Sequence, residues 1–585
     1  MVHNVIVNKI SVLIGGEAGA GITRSGFLFA KACLRGGLYV FGTNDYQSLI
    51  RGGHNFYIAR ADAEEIYSQA DTIDLLLALN KETILRHKDE LVSGGGIVYD
   101  GEEIILSNEE LSRDYLKLYP VPLRRIVKEL NGAIIMRNTV ALGAAIGLLD
   151  YDLEILNEVM RDTFKPKVAE SNIKAAKMGY DYAQEHYAGN FEYRLEKTQT
   201  DGKRKIFLTG NEAVGLGAIR AGCKFYAAYP MTPATGVLHF MAPLDRKYNM
   251  IVIQTESEIA AINMVAGAFF AGARAMTATS GGGFCLMSEG LGMTGMTETP
   301  AVIMLAQRPG PSTGLPTYSG QGDLRFVIHA SQGEFPRVVI APGDVEECFY
   351  KTMEAFNLAE KFQIPVILIT DKYLVESHGA ADVFDQNRIR IDRGLLLAEE
   401  EYVGEEEYKR HKFTEDGVSP RAMLGMRGAI VRTNADEHDE LGYTTDDPEL
   451  TTKMVDKRFK KLNVLIRELE NYETTKLYGP KEADVTILGW GSTKGPIREA
   501  MKILSKEGLK LNYLQIIYLN PFPVANVQKI LKSAKKTVVV ENNKTSQLSS
   551  LIREHLLMTV DHKILKYTGR PFNPKELSQR IKEVL

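Results

Sequence analysis

Short apolar runs followed by helical stretches recur along this chain, and their alternation constrains the fold more than any other feature. Clear examples are Ile251–Ile253, Ala301–Leu305, Val338–Ile340 and Pro365–Ile369. Runs of this length without polar alternation are typical of strands that are buried on both faces of a parallel sheet. We therefore expect a multidomain α/β protein that contains a doubly wound domain.

The length of 585 residues is too great for one hydrophobic core, and about 150 residues per domain suggests three or four domains. Composition shifts and strand signals place the boundaries. We predict a first α/β domain over residues 1–190, a polar linker over 191–205, the doubly wound domain over 206–393, a connecting segment over 394–480 and a last α/β domain over 481–585. The Glu-rich part of the connecting segment, 399–417, is predicted to lie on the surface.

The bulk composition is that of an ordinary globular protein, with 44% hydrophobic and 25% charged residues. A net charge of −4 argues against nucleic-acid binding, which would require clustered Lys and Arg. The start of the chain has no signal-peptide pattern, and no apolar run approaches the roughly 20 residues that span a bilayer. We therefore expect a cytoplasmic protein that does not enter the membrane.

The four cysteines are far apart and never form a C-x-x-C pair. Neither an iron-sulfur cluster nor a structural zinc has its usual ligand spacing. We predict no metal site on this chain and interpret the cysteines as small buried hydrophobic residues.

Two N-terminal features leave alternatives open. Gly15–Gly21 follows a strand and precedes a helix, so it could bind a nucleotide phosphate or coenzyme A, or it could be only a tight turn. The stretch Tyr46–His54, which includes Arg51, could serve an active site or a domain contact.

Three segments after predicted strands carry candidate chemistry, because ligands bind at the carboxyl edge of open α/β sheets. In Tyr229–Pro233 two prolines fix the backbone around Thr232, whose hydroxyl can donate and accept hydrogen bonds. The alternative is a simple proline-containing turn. In Gln307–Leu324 a loop rich in Gly and Pro carries Arg308, which could clamp a carboxylate or form an ordinary surface salt bridge.

The third segment is the Ala-rich and Gly-rich helix predicted over Gln254–Gly272, which has two glutamates at its start. Glu256 suits the helix dipole, and we assign it that structural role. Glu258 lies at the mouth of the apolar helix, where its carboxyl group could share a proton with a ligand nitrogen.

The order of these motifs closely resembles that in the α subunit of 2-oxoacid:ferredoxin oxidoreductases, and the N-terminal region with Arg51 resembles the γ subunit. The chain thus resembles the fused γ-α form over nearly its whole length. The motifs that carry the resemblance are Gly210–Ala213, Tyr229–Pro233, Glu256–Ala261, Thr279–Gly283, Arg308–Leu324, Asp436–Gly442, Tyr518–Pro523 and Val540–Asn543.

The resemblance implies a γ-like first domain, a pyrimidine-type thiamine-diphosphate domain and a transketolase-C-like last domain. It implies that Glu258 pairs with the cofactor's aminopyrimidine ring and drives it toward the imino tautomer. It further implies that Thr232 and Arg308 hold the carboxylate and carbonyl of a 2-oxo acid. The remaining implied positions are Tyr229 and Pro230 beside the cofactor, and Tyr229, Thr313 and Thr317 in the substrate pocket.

The family's Gly-Asp-Gly motif for the diphosphate and Mg²⁺ is absent from this chain. The resemblance therefore implies a β subunit that supplies the diphosphate grip, Mg²⁺ and a [4Fe-4S] cluster, in an αβ or (αβ)₂ assembly that is inactive without β. Met231 replaces the usual Ile, and Pro309 the usual Gly, both conservatively.

The implied reaction is the coenzyme A-dependent oxidative decarboxylation of pyruvate or 2-oxoglutarate to acyl-CoA and CO₂, with ferredoxin as electron acceptor. The main alternative keeps thiamine diphosphate but changes the acceptor. A flavin or nicotinamide dehydrogenase that uses the N-terminal glycines, and a degenerate scaffold subunit, are weaker alternatives.

Overall fold

The computed structural model describes residues 5–49, 52–107, 116–199, 204–398 and 407–585. Arg51 and residues 200–203 of the predicted linker lie outside this set. Two compact units emerge: one comprises residues up to Leu208 with Ser377–Val383 and Asn573–Lys575, and the other comprises Thr209–Glu376, Phe384–Phe572 and Glu576–Leu585. No helix among the described residues is long and apolar enough to cross a membrane.

The first unit is built on a mixed eight-stranded sheet with the strand order β7-β6-β5-β2-β4-β3-β16-β9. A short parallel pair, β1 with β8, accompanies it. The strands are β1 Ile6–Val7, β2 Lys9–Glu17, β3 Tyr39–Asp45, β4 His54–Asp62, β5 Ile73–Ala78, β6 Leu91–Asp100, β7 Lys117–Val121, β8 Tyr193–Arg194, β9 Lys205–Thr209 and β16 His378–Asp382. The helices are α1 Ile22–Arg35, α2 Lys81–His87, α3 Leu123–Glu129, α4 Arg137–Leu148, α5 Leu153–Thr163 and α6 Pro166–Tyr187.

Small residues let α4 and α6 pack with their backbones close together. A Cβ atom added to Gly143 would lie 1.9 Å from the carbonyl oxygen of Ala176, and one added to Gly179 would lie 2.0 Å from that of Val140. Any larger side chain at either position would force the helices apart, so these glycines are required by packing.

The N-terminal glycine turn follows β2 as predicted, although the strand extends beyond Ile14 to Glu17. Gly19 and Gly21 have φ angles of +83° and +76°, which L side chains rarely adopt. The turn geometry alone therefore accounts for these two glycines.

The second unit contains a seven-stranded sheet of order β11-β10-β12-β13-β15-β14-β20, in which only the β14-β20 pair is antiparallel. This sheet confirms the predicted doubly wound α/β class. Its strands are β10 Phe225–Ala228, β11 Ile251–Gln254, β12 Ala275–Thr279, β13 Ala301–Gln307, β14 Val338–Ile340, β15 Pro365–Asp371 and β20 Tyr518–Asn520. Its helices are α7 Gly210–Arg220, α8 Thr235–Met241, α9 Asp245–Tyr248, α10 Glu258–Phe270, α11 Gly281–Leu286, α12 Ser288–Met296, α13 Leu324–His329, α14 Val345–Phe362 and α15 Lys372–Glu376.

A five-stranded sheet of order β17-β19-β18-β21-β22 forms the C-terminal part of this unit. Its strands are β17 Thr475–Tyr478, β18 Val485–Gly489, β19 Leu511–Ile516, β21 Thr537–Glu541 and β22 His562–Leu565. The helices are α16 Pro448–Glu468, α17 Lys494–Lys506, α18 Val524–Ser533, α19 Gln547–Leu556 and α20 Pro574–Glu583. Apolar side chains of both sheets, including Leu305 and Leu514, share one buried core.

Two strands from the predicted 206–393 domain lie instead in the eight-stranded sheet of the first unit. The first is β9, most of which falls at the start of the predicted 206–393 domain. The second is β16, which pairs antiparallel with β3. His378–Asp382 has no apolar alternation, so the sequence contains little sign that it forms a strand.

The structure describes 407–417 of the segment predicted to lie on the surface, and the prediction is only partly right there. Glu407, Lys409, Lys412, Phe413 and Glu415 are exposed, but other residues are not. Arg410 is 1% exposed and His411 is completely buried. Both side chains contact Glu298, which compensates for the cost of burying polar groups in this segment.

Candidate active site

Four neighbouring strands of the seven-stranded sheet bring the sequence motifs to one edge. The strands β11, β10, β12 and β13 are adjacent and parallel. Their carboxyl ends lead into the segments that hold Glu258, Thr232, Gly281–Gly283 and Arg308, respectively. The predicted grouping of these segments at the carboxyl edge is therefore a property of the fold.

Glu258 is the first residue of α10 and is only 3% exposed. The helix is capped by Ser257, whose hydroxyl oxygen accepts a hydrogen bond from the backbone N–H of Ala260 at 3.2 Å. Within the described residues the buried Oε1 of Glu258 has no hydrogen-bond partner. Glu256, by contrast, is exposed. The two glutamates thus lie in different environments, and only one is a buried carboxylate with an unused acceptor.

Gly283 leaves the space that the Glu258 carboxylate occupies. A Cβ atom at this position would lie 2.6 Å from Glu258 Oε1 and 2.1 Å from Thr279 Oγ1. A glycine is therefore required at the end of the Thr279–Gly283 motif, because the Glu258 carboxylate approaches the backbone of α11 closely there.

Arg308 and Thr232 are in direct contact. Nη1 of Arg308 donates a hydrogen bond to the carbonyl oxygen of Thr232 at 2.8 Å, and the Thr232–Pro233 peptide bond is cis. Burial lowers the pKa of the Arg308 guanidinium from its usual range, and the neighbouring carboxylate of Asp323 acts in the opposite direction. Thr232 and Arg308, which are 76 positions apart in the sequence, are thus joined by a hydrogen bond at the edge of the sheet.

The other predicted residues differ in exposure. Thr317 is 3% exposed and its buried Oγ1 has no partner among the described residues, whereas Thr313 is exposed on the same loop. Tyr229 is 39% exposed and Pro230 is half-buried. The structure therefore buries Thr317 within the loop, and leaves Thr313 and Tyr229 open to solvent in this chain.

Sequence reasoning missed Asp323 as a site residue, although the residue belongs to the motif after Arg308. Burial raises the pKa of its carboxyl group to about 6, and Arg308 opposes that rise. Its backbone N–H donates to Oε1 of Gln307 at 2.9 Å. The Gln-x-Asp-Leu motif is visible in the sequence. The motif alone, however, does not indicate that the Asp323 carboxylate interacts with the charge of Arg308.

Gln321 anchors the Arg308 loop to the C-terminal part of the same unit. Its side-chain amide donates to the Trp490 carbonyl at 3.0 Å and accepts from the Asn542 backbone N–H at 2.9 Å. Nδ2 of Asn543 donates to the Gln321 carbonyl at 3.1 Å, and also to Glu541 at 3.0 Å. The Glu541–Asn543 motif therefore fixes the conformation of the loop, and this explains a landmark whose role the sequence left open.

Three families match successive parts of the chain. Residues 11–182 match pyruvate ferredoxin/flavodoxin oxidoreductase, 216–457 match the thiamine-diphosphate-binding region of pyruvate flavodoxin/ferredoxin oxidoreductase, and 483–577 match core domain II of pyruvate:ferredoxin oxidoreductase. The fold and the site therefore define a thiamine-diphosphate-binding oxidoreductase.

Full-length relatives narrow this class. The α subunit of 2-oxoacid:ferredoxin oxidoreductase 2 from Aeropyrum pernix is 34% identical, with 98% of each chain covered. The corresponding α subunit from Saccharolobus solfataricus is 35% identical over 99% of this chain and 98% of its own. The chain belongs to the 2-oxoacid:ferredoxin oxidoreductase family, as an α subunit.

A solved structure matches nearly the whole chain. It is the 2-oxoglutarate:ferredoxin oxidoreductase from Magnetococcus marinus with 2-oxoglutarate, coenzyme A and succinyl-CoA bound. It is 37% identical, covers 99% of both chains and has a TM-score of 0.89. The 2-oxoglutarate synthase subunit KorA of Methanocaldococcus jannaschii is 36% identical over only 64% of this chain but 98% of its own length, so it is a shorter relative.

The residues at the sheet edge fit thiamine diphosphate. The unpartnered Oε1 of Glu258 can pair with a pyrimidine nitrogen, and Gly283 leaves room beside it. Within the described residues, no group of three or more His, Cys, Asp or Glu side chains is arranged to hold a metal ion.

Proposed function

We propose that this chain acts with a β subunit in the coenzyme A-dependent oxidative decarboxylation of a 2-oxo acid. The 2-oxo acid and coenzyme A would yield acyl-CoA and CO₂, and two electrons would pass to ferredoxin. The observation that carries the proposal is the buried carboxylate of Glu258, whose Oε1 has no hydrogen-bond partner among the described residues, at the same sheet edge as the Arg308–Thr232 pair. Because the family is established, these two features are best interpreted as cofactor and substrate groups.

Glu258 would hold a proton between its Oε1 and a ring nitrogen of the cofactor. Thiamine diphosphate supplies the electron sink for decarboxylation when it is bound. The carboxylate is suited to this role because it is buried, rigidly placed by the start of α10, and free to form one more strong hydrogen bond. Tyr229 and Pro230 follow the neighbouring strand β10 and would lie beside the cofactor.

Arg308 and Thr232 would orient the carboxylate and carbonyl of the 2-oxo acid. The guanidinium can offer its remaining N–H groups to a carboxylate while Nη1 stays on the Thr232 carbonyl. The Thr317 hydroxyl would line the same pocket. Thr313 and Tyr229 are exposed here, and would contact substrate when a partner subunit covers them.

We propose that the β subunit carries the diphosphate-binding residues, Mg²⁺ and a [4Fe-4S] cluster. The enzyme would then be an αβ or (αβ)₂ assembly. The proposal rests on the absence of Gly-Asp-Gly and C-x-x-C from the sequence. The substrates considered are pyruvate and 2-oxoglutarate, since both present the same 2-oxo carboxylate to this chain.

Co-expression with a candidate β subunit tests the function. The purified complex is assayed with pyruvate, 2-oxobutyrate and 2-oxoglutarate, in the presence of coenzyme A and a viologen acceptor, and the α chain alone is the control. We expect acceptor reduction with at least one of these acids, dependent on both coenzyme A and β. A complex that contains thiamine diphosphate and an intact cluster but reduces no acceptor with any 2-oxo acid would refute the proposal.

Arg308→Ala should raise KM for the 2-oxo acid by about tenfold or more, because charge-assisted hydrogen bonds contribute about 1.5–3 kcal/mol. The apparent affinity for thiamine diphosphate should change much less. Arg325→Ala is the matched control, since Arg325 forms an ion pair with Glu554 outside the site. Steady-state kinetics with varied 2-oxo acid measures the effect, and a normal KM with normal kcat would contradict the assigned role.

A further inference from the structure

Asp323 occupies a fixed position at the end of the Arg308 loop. Its backbone N–H is bound by Oε1 of Gln307, whose Nε2 donates to the Thr370 carbonyl at 3.0 Å. A Cβ atom on Gly281 would lie 2.6 Å from Asp323 Oδ2, so the carboxylate rests against the start of α11. The side chain is therefore held between the end of β13 and the glycine turn.

The backbone N–H of Asp323 is hydrogen-bonded to the side chain of Gln307, the residue that precedes Arg308, and the charges of Asp323 and Arg308 interact. Within the described residues the Asp323 carboxylate forms no direct ion pair, and the one hydrogen bond of the Arg308 side chain goes to the Thr232 carbonyl. Among the described residues, the titratable or charged groups that interact with Asp323 are Arg308, on the loop after β13, and the thiol of Cys285, on α11. Arg308 thus has a nearby counter-charge and still has donors available for an incoming anion.

We propose that Asp323 is a positioning residue that balances the charge of Arg308 in the free enzyme and must take up a proton when a 2-oxo acid carboxylate binds there. This rests on the function proposed above. A substrate carboxylate would neutralise Arg308 and place a second negative charge beside Asp323. Both changes favour the protonated form of the half-buried Asp323 carboxyl group.

The pH dependence of substrate binding follows from this coupling. Burial already raises the pKa of Asp323 to about 6, so the group is ionised above that pH in the free enzyme. Binding of the substrate raises the pKa further, which means that a proton is taken up on binding. The affinity for the 2-oxo acid should therefore fall as the pH rises above about 6.

The test measures kcat and KM for the preferred 2-oxo acid between pH 5.5 and 8.5, using the assembled αβ enzyme. The wild-type KM should rise roughly fivefold or more from pH 6 to 8, since linkage permits up to about tenfold per pH unit. Asp323→Asn should abolish this slope and change KM more than kcat. Asp323→Glu should retain the slope, and the exposed Glu289→Gln should leave it unchanged.

A flat wild-type KM profile would overturn the proposal, even if Asp323→Asn failed to assemble. A wild-type slope that persists in Asp323→Asn would overturn it as well. In both cases the enzyme still turns over 2-oxo acids, so the proposed function survives. Absence of turnover by a wild-type enzyme that contains its cofactors would refute both.

Discussion

Glu258→Gln in the assembled enzyme should lower turnover of the 2-oxo acid by about hundredfold or more, as expected for loss of a group that moves a proton in catalysis. Glutamine has almost the same shape, but its amide cannot share a proton with a ring nitrogen. The position of the side chain should persist, because Ser257 still caps α10 and Gly283 still leaves the space beside it. The measurement is viologen reduction dependent on 2-oxo acid and coenzyme A, in preparations with equal β content.

Glu256→Gln is the matched control for this prediction. Glu256 lies two residues earlier in the same segment but is exposed, so its replacement should alter turnover by less than about threefold. Both variants should co-elute with β in gel filtration, which separates a loss of chemistry from a loss of assembly. Equal losses of activity in the two variants would show that the cofactor glutamate is wrongly assigned.

The sequence predicted the part of this site that depends on local pattern. Buried strands such as β13 and β15 are recognisable because their apolar runs lack polar alternation. Residues that follow such strands must collect at one edge of a parallel sheet, so the grouping of Glu258, Thr232 and Arg308 follows from the sequence pattern alone. The family resemblance then implies the roles proposed for these three residues.

Features that depend on distant pairings were beyond sequence reasoning. The docking of Gln321 on Asn542 joins positions 221 residues apart, and no periodicity in either segment specifies it. The same holds for β16, which is short and has no apolar alternation. Asp323 was visible in its motif, but its importance comes from Gly281 and Arg308, which only the folded chain brings beside it.

The connecting segment 394–480 shows the same limit, because nothing in its sequence indicates that His411, Lys457 and Lys461 are buried around one carboxylate. Glu298 is buried in contact with Lys457 at 2.5 Å, with His411 at 3.1 Å and with Lys461. Burial alone would raise the pKa of Glu298, but Lys461, Lys457 and His411 outweigh it and hold that pKa well below its usual range. One carboxylate therefore compensates two buried lysines in the core of the second unit.

Glu298→Gln should destabilise the second unit by about 3 kcal/mol or more, because removal of one partner leaves buried charges without compensation. The corresponding calorimetric transition should fall by at least about 5 °C. Asp484→Asn is the control, since its ion pair with Lys535 at 2.9 Å is exposed and should contribute little. Equal shifts in the two variants would contradict a special role for the buried group.

A second substitution and the pH dependence test whether the loss of stability in Glu298→Gln comes from uncompensated charge. Adding Lys461→Met to Glu298→Gln should recover part of the lost stability, because it removes one uncompensated cation and keeps an apolar side chain of similar length. Since the pKa of Glu298 is depressed in the folded state, its stabilisation is fully present above its ordinary value of 4.5. That contribution is lost progressively as the pH falls below 4.5 and through the lower, folded-state pKa, so the difference between wild type and Glu298→Gln should shrink steadily in this acid range.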